Sequence, residues 1–143
     1  MENKLTLIIM LKNNKTGILE NEIAKIDIND FENNIHNIYA FENKNGTKEI
    51  FIRLTCNKKN SEIEDWEFEA IFDYYNLENI KPFVNSIEED DNFFNPCWNI
   101  ILNFYDENYK NEEIINKILS IHKSEIDSIY QIISNKKGDY IDD

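Results

Sequence analysis

The sequence predicts an α+β fold, a mainly antiparallel sheet of about five to six strands with a long C-terminal helix packed on one face. In the first 60 residues, apolar runs of strand length alternate with turns that contain Asn and Gly. From Ile115 to Ile133, apolar residues recur at three- and four-residue steps, as in an amphipathic helix. The length of 143 residues fits a single acidic domain, residues 1–143, and the 13% aromatic content favours a folded core.

Turn residues delimit the first two strands. Lys4–Lys12 is a compact apolar run that suits a buried strand, and residues 13–17 supply a hairpin turn because Asn and Gly tolerate positive φ. The second strand, Ile18–Ile28, changes its in–out phase between Ile23 and Ile26. A phase change of this kind predicts a β-bulge.

The third and fourth strands form the second predicted hairpin. Residues 35–41 alternate between two faces, and so do residues 50–56. The segment between them contains Asn43, Asn45 and Gly46, which suit a tight turn.

Residues 61–76 fit two different structures. Ser61 and Glu64 resemble a capping box, and the following apolar residues have helical spacing. The same stretch also alternates between a mainly aromatic face and a face that contains Glu67, Glu69, Ile71, Asp73 and Tyr75, and aromatic residues favour strands. We interpret the segment as a strand, with a helix as the alternative. The residues on the aromatic face of that strand are Trp66, Phe68, Ala70, Phe72 and Tyr74.

The last third of the chain begins with an irregular segment. Leu77–Asp91 contains Pro82 and predicts loops or short helical turns, and a further strand follows over residues 96–105. The final helix is predicted over Asn111–Lys137, with Asn111 as N-cap and Gly138 at the C′ position.

Two tryptophans and two histidines lie at positions that point to the core. Trp66 and Trp98 begin the inward phase of their strands, so we expect both to be largely buried with a hydrogen-bonded indole N–H. His36 lies among apolar residues of a strand, and His122 lies on the inward stripe of the helix. Both are interpreted as paired core or boundary residues.

The cysteines and the N-terminal segment indicate a cytoplasmic protein. Cys56 and Cys97 lie in alternating apolar runs, where a reduced thiol behaves as a small hydrophobe. The apolar run Leu5–Leu11 is too short to span a membrane and has no cleavage site after it. We therefore expect a reducing compartment and no membrane partner.

The net charge of −13 is concentrated in the middle of the chain. Residues 1–60 hold 8 acids and 9 bases, residues 61–113 hold 15 acids and 2 bases, and residues 114–143 hold 5 acids and 4 bases. Such a block is typical of a solvated face or of a docking surface for a basic partner. The predicted partner-binding residues are Glu64, Asp65, Glu67, Glu69, Asp73, Glu88, Glu89, Asp90 and Asp91.

If residues 65–75 form a strand, its acids form a regular row. Glu67, Glu69 and Asp73 then share the face opposite the aromatic residues, with alternate positions about 6.7 Å apart. A row of this spacing suits basic sites that hold a nucleic-acid backbone. A helix would spread the same acids around its axis, and the row would disappear.

No pattern of catalytic, metal-binding or cofactor-binding residues is found. Glu88–Asp91 lacks the ligand spacing and central Gly of a calcium loop, and three glycines cannot form a phosphate-binding loop. No serine lies in a nucleophile elbow. Direct nucleic-acid binding is disfavoured by the charge of −13 and by the presence of one arginine, Arg53.

The leading hypothesis is a non-enzymatic acidic interaction module that inhibits or masks a basic, nucleic-acid-handling protein. Anti-CRISPR inhibitors and nuclease-immunity proteins share its small size, acidity and lack of motifs, which is an analogy of class. One alternative is a cytoplasmic adaptor or regulator with a solvated acidic face and an apolar binding patch. Another is a small carboxylate hydrolase, which requires a concave pocket with at least two acids. A homodimer is compatible with each of these hypotheses.

Overall fold

A computed structural model describes residues 4–29, 34–58 and 61–141, and it confirms the predicted α+β fold. The strands are β1 (Lys4–Lys12), β2 (Leu19–Asn29), β3 (Ile35–Glu42), β4 (Lys48–Thr55), β5 (Ser86–Asp90) and β6 (Cys97–Asn103). The helices are α1 (Asp65–Tyr74), α2 (Asn108–Ile133) and the short α3 (Lys137–Tyr140). None of the helices in the described ranges is long and apolar enough to cross a membrane.

The strands form one six-stranded sheet in the order β2-β1-β3-β4-β6-β5. All neighbouring pairs are antiparallel except β1 and β3, which are parallel. The predicted hairpin turns are present, with positive φ at Gly17 and Gly46. A bulge lies at the start of the predicted interval, because Ile9 pairs with Ala24 while Met10 pairs with Glu22, which leaves Ile23 as an extra residue on β2. A second register shift, between Leu11 and Lys12, leaves Glu20 as another.

Helix α2 covers one face of the sheet, as its apolar spacing predicts. The stripe Ile115, Ile118, Ile126, Ile129 and Ile133 is buried. The predicted ends of the helix were wrong. Asn111 is a buried residue within α2, where its amide bonds the backbone N–H and C=O of Tyr105 (2.8 Å each), and Gly138 lies within α3.

The strand interpretation of residues 61–76 was wrong, because this segment forms α1. Glu64 and Glu67 make a reciprocal capping box, in which each side chain accepts from the other residue's backbone N–H. The aromatic side chains that fitted alternation also fit the four-residue helical step, and Phe68 and Phe72 make an edge contact with centroids 5.3 Å apart. Burial of Ala70 and Ile71 completes the apolar face of the helix.

A short edge strand, β5, was missing from the prediction for residues 77–91. The 3-10 turns Leu77–Asn79 and Lys81–Phe83 agree with the predicted helical turns, but Ser86–Asp90 pairs with β6 along its whole length. Its sequence is short and rich in acids, so it lacks an intrinsic strand signal. Pairing with a neighbouring strand overrides the local preference here.

Both tryptophans were expected to be buried with a hydrogen-bonded indole N–H, and each of them fulfils one of these two expectations. Trp98 is fully buried, but its indole N–H has no hydrogen-bond partner among the described residues. Trp66 is half-buried, and its N–H donates to Glu64 (3.1 Å). The reason is that Trp66 lies on a surface helix and not on a central strand.

Polar side chains of α2 cover the outer edge of β2. Asn108 donates to the carbonyl of Lys25 (2.6 Å), and the carboxylate of Glu112 accepts from the backbone N–H of Asp27 (2.7 Å). Asn116 donates to the carbonyl of Asp27 (2.9 Å) and accepts from the N–H of Asn29 (3.1 Å). These three helix residues are four positions apart, so one face of α2 seals an edge that is otherwise open to pairing.

Replacing Asn116 by Ala is expected to open this edge. Loss of the two hydrogen bonds to β2 should cost about 1 kcal/mol each, and the amide of Asn29 should exchange with deuterium at least about tenfold faster. Native-state hydrogen exchange followed by NMR measures both effects. Gln131→Ala, at an exposed position of the same helix, is the matched control. An unchanged Asn29 exchange rate would contradict the sealing role.

Candidate functional site

The structure divides the acids of residues 61–113 into exposed and internal groups. We define the acidic surface as the exposed carboxylates at α1, along β5 and in the loop after β5. The residues of the acidic surface are Glu64, Asp65, Glu69, Asp73, Glu89 and Asp91. Glu67 and Asp90 are buried, and Glu88 lies on the opposite face of β5.

The first half of the acidic surface surrounds a shallow depression at the N-terminus of α1. The depression has a volume of about 430 Å³. The side chains that line it are Glu64, Asp65, Trp66, Glu69, Tyr140 and Ile141. The rings of Trp66 and Tyr140 lie 6.2 Å apart at an angle of 37°, so two aromatic faces border a site with three carboxylates.

Tyr140 connects this depression to the C-terminal end of α1. Its hydroxyl donates to the carboxylate of Asp73 (2.8 Å). Desolvation, this hydrogen bond and the nearby charges of Asp73 and Glu69 raise the pKa of Tyr140 to about 12. The phenol therefore stays protonated and holds α3 against α1.

The other residues of the acidic surface are Glu89 and Asp91, and Glu89 is the one that lies next to the acids of α1. Partial burial, followed by the charges of Asp73 and Asp91, raises the pKa of the Glu89 carboxyl. Glu89 lies on β5 opposite Trp98, and Trp98 contacts Phe72 of α1 with centroids 5.3 Å apart. The fold thus brings together acids that are 16 residues apart in the sequence, Asp73 and Glu89.

Among the described residues, no base forms an ion pair with the acids of this surface. Within residues 4–29, 34–58 and 61–141, none of its six carboxylates is in a salt bridge with Lys or Arg. Mutual repulsion therefore remains in the folded protein, and a cation that binds here gains from several charges at once.

Glu67 has a structural role instead. Its carboxylate forms an ion pair with Lys58 (2.8 Å) and accepts from the backbone N–H of Glu64 (3.1 Å). It links the chain after β4 to the start of α1. The predicted row of Glu67, Glu69 and Asp73 is therefore absent, because the helix turns Glu67 inward and leaves the other two exposed.

Asp90 is also engaged internally, in a cluster around the one arginine. Hydrogen bonds from Asn99 and Asn92 and the charge of Arg53 lower the pKa of the Asp90 carboxyl. Arg53 donates to Asn99 (3.0 Å), and its guanidinium lies 4.4 Å from the ring centroid of Phe93. This cluster fixes the loop after β5, and sequence reasoning missed it because its members come from three separate segments.

The arrangement at the depression suits the binding of a cationic group. Carboxylates near a helix N-terminus are stabilised as anions by the helix dipole. Aromatic faces add attraction for a guanidinium or ammonium group. The depression is concave and contains three acids, as the hydrolase alternative requires, but these acids are all exposed, whereas acid–base pairs need one desolvated carboxyl. Among the residues with described positions, no group of three His, Cys, Asp or Glu could hold a metal ion.

Comparison with curated proteins and with solved structures finds no match to this chain. A family model, described as a family of unknown function (DUF6762), matches residues 1–141. Because this match covers almost the whole sequence, the chain belongs to that family.

Proposed function

We propose that the protein is a non-enzymatic binding module that masks a basic protein through the acidic surface. The observation that carries the proposal is the convergence of Asp73, Glu89 and Asp91 without a neutralising base in the described residues. Uncompensated like charges cost the free protein some stability, and a basic partner relieves that repulsion. Attraction of this kind mainly accelerates association and selects basic partners.

Aromatic residues near the acids supply contact area for such a partner. Phe94, in the loop after β5, is 73% exposed, and Tyr74, at the end of α1, is 38% exposed. Large aromatic side chains are enriched among the residues that contribute most to binding energy. In this scheme the acidic charges accelerate association, and the aromatic side chains slow dissociation.

The partner class follows from the charge of the surface. Proteins that bind nucleic acid present lysine and arginine side chains to phosphates, so extended basic surfaces are typical of this class of protein. With the regular row of acids absent, the proposal rests on charge density and not on phosphate-like spacing. The protein then acts as a competitor of nucleic acid, within a cytoplasmic setting.

Affinity capture with three baits tests this function. The baits are the wild type, an acidic-surface triple variant (Glu69→Gln, Asp73→Asn, Glu89→Gln) and a control triple variant (Glu20→Gln, Glu42→Gln, Glu113→Gln). All six positions are exposed, and both variants lose the same charge. The expected partner is basic, is retained by the wild type and the control, and is lost by the acidic-surface variant.

Addition of the wild-type protein should then release a labelled DNA or RNA duplex from the captured partner. The proposal is contradicted if the partner binds all three baits equally. It is also contradicted if the partner is acidic or keeps its nucleic acid.

One observation favours the adaptor as a second candidate. The sheet face away from α2, here called the outer face, carries the half-buried residues Tyr39, Phe51 and Ile101. Tyr39 and Phe51 stack with centroids 4.9 Å apart. A partner bound to this face would be indifferent to salt and to the acidic-surface variant, so the same capture experiment separates the two functions.

A further inference from the structure

The two edges of the sheet differ in whether their backbone groups are satisfied. At the β2 edge, Asn108, Glu112 and Asn116 bond the outward groups of the strand. At the β5 edge, no described side chain or backbone group bonds the outward N–H and C=O groups. One edge is sealed by a helix, and the other is left free to pair.

The register identifies which groups of β5 are free. The N–H of Phe104 donates to the carbonyl of Lys48 (3.3 Å), so the even-numbered residues of β6 bond β4. Its odd-numbered residues therefore bond β5, opposite Ser86, Glu88 and Asp90. Two residues remain whose backbone groups point away from the sheet. They are Ile87 and Glu89.

The surroundings of this edge are open and concave. A depression of about 380 Å³ lies beside the first half of β5, and the residues that line it are Lys81, Val84, Asn85, Ser86, Ile87 and Glu88. The charge of Lys81 is paired with Glu78 (2.7 Å). The second half of the strand adjoins the acidic surface at Glu89. An extended chain laid along β5 would thus place one residue near Ile87 and others near carboxylates.

We infer that β5 accepts an extended, lysine- or arginine-bearing segment of the basic partner as a seventh strand of the sheet. Backbone hydrogen bonds to Ile87 and Glu89 supply register, and the alternating side chains of the added strand supply selectivity. Side chains of the added strand on the helix-covered face contact Glu89 and Asp73, and those on the outer face contact Glu88. This inference rests on the proposed function, because it specifies how the same partner docks.

The charges argue against a second copy of this chain as the occupant. An antiparallel β5–β5 pair centred on Glu88 would place Glu88 of one copy opposite Glu88 of the other, and a pair centred on Glu89 would place Glu89 opposite Glu89 and Glu88 opposite Asp90. Like charges opposite each other on neighbouring strands are destabilising. A basic segment converts the same positions into favourable cross-strand pairs.

The test uses a fluorescent seven-residue peptide of alternating arginine and valine, acetylated and amidated. Glu89→Pro removes an outward N–H without touching the β5–β6 hydrogen bonds, and proline is tolerated on the open side of edge strands. Glu89→Gln removes the same charge and keeps the N–H. Fluorescence anisotropy should show at least about tenfold weaker binding for Glu89→Pro than for Glu89→Gln.

Modified peptides give a second readout that leaves the protein intact. One peptide carries N-methyl groups on its valines and another on its arginines, so that each blocks one edge of the added strand. Strand addition requires that one of the two lose binding by at least about tenfold while the other retains it.

Equal binding by both methylated peptides, together with equal effects of Glu89→Pro and Glu89→Gln, would overturn strand addition. The proposed function would survive that result if binding still weakened with salt. If none of the peptides bound at low salt, both the inference and the proposed function would be overturned.

Discussion

Acidification from pH 7 to pH 4 is expected to remove about 3 kcal/mol of unfolding free energy through His122 alone. His122 is fully buried between the sheet and α1. Its Nε2 lies 2.7 Å from the carbonyl of Thr55, which can only accept, so Nε2 carries the proton. The Nδ1 atom then accepts from the hydroxyl of Tyr75 at 2.8 Å.

This environment suits the neutral imidazole. Burial lowers the pKa of His122 to about 4, and burial also raises the pKa of Tyr75, which stays protonated. Between the ordinary histidine pKa of about 6.5 and the folded value, the unfolded chain binds more protons than the native protein. Stability is therefore complete above that window and falls as the pH falls through it; below the window the loss is complete and no longer changes with pH through His122.

Urea unfolding of the wild type and of His122→Gln across pH 4–7 isolates this effect, because carboxylates contribute equally to both proteins. The stability difference between them should shrink by about 3 kcal/mol as the pH falls. Gln131→Ala, at an exposed position of α2 without an ionisable side chain, is the control and should leave the pH dependence unchanged. A stability difference that is the same at every pH would show that His122 is not held neutral.

Truncation of Trp98 to Ala is expected to cost about 4 kcal/mol, the largest single effect in the core. Its ring stacks on Tyr75 at 4.3 Å and meets Phe72 and His122 edge-on, each at 5.3 Å. Removal leaves a cavity where the sheet, α1 and α2 meet. Chemical denaturation measures the loss, and the binding surface should be disturbed as well because Trp98 pairs with Glu89.

Trp98→Phe separates packing from hydrogen bonding. The indole N–H has no partner in the described structure, so its removal relieves an unsatisfied donor and offsets part of the lost contact area. The Phe variant should therefore lose less than about 2 kcal/mol. A loss well above about 2 kcal/mol for the Phe variant would mean that the indole N–H is satisfied in solution.

The elements with strong periodic patterns could be predicted from the sequence. The stripe from Ile115 to Ile133 and the turns at Gly17 and Gly46 specify their structures locally, and the structure agrees with them. The segment 65–74 could not be resolved in this way, because its aromatic residues satisfy both a two-residue and a four-residue period. The helix signal in the sequence was the capping-box pattern of Ser61 and Glu64, and in the structure the box forms three residues later, between Glu64 and Glu67.

The sequence predicted that acids are concentrated in residues 61–113, but not which of these acids share one surface in the folded protein. The sequence contains no sign that Asp73 and Glu89 are neighbours, since their proximity comes from the packing of α1 against β6, the strand that pairs with β5. Nor could it identify the internal acids. Glu67 and Asp90 look like their neighbours in the sequence, and only their contacts with Lys58 and Arg53 distinguish them.

The association rate constant with the captured partner, measured against ionic strength, tests the central claim most directly. At about 10 mM salt, where charges act over about 30 Å, the variant Glu69→Gln, Asp73→Asn, Glu89→Gln should associate at least about tenfold more slowly than the wild type. The control triple variant Glu20→Gln, Glu42→Gln, Glu113→Gln should stay within about twofold of the wild type. Near 1 M salt all three rates should converge, because screening then acts within about 3 Å. An association rate constant that does not change with ionic strength, or that is the same for both triple variants at low salt, would contradict the assignment of the acidic surface as the docking site.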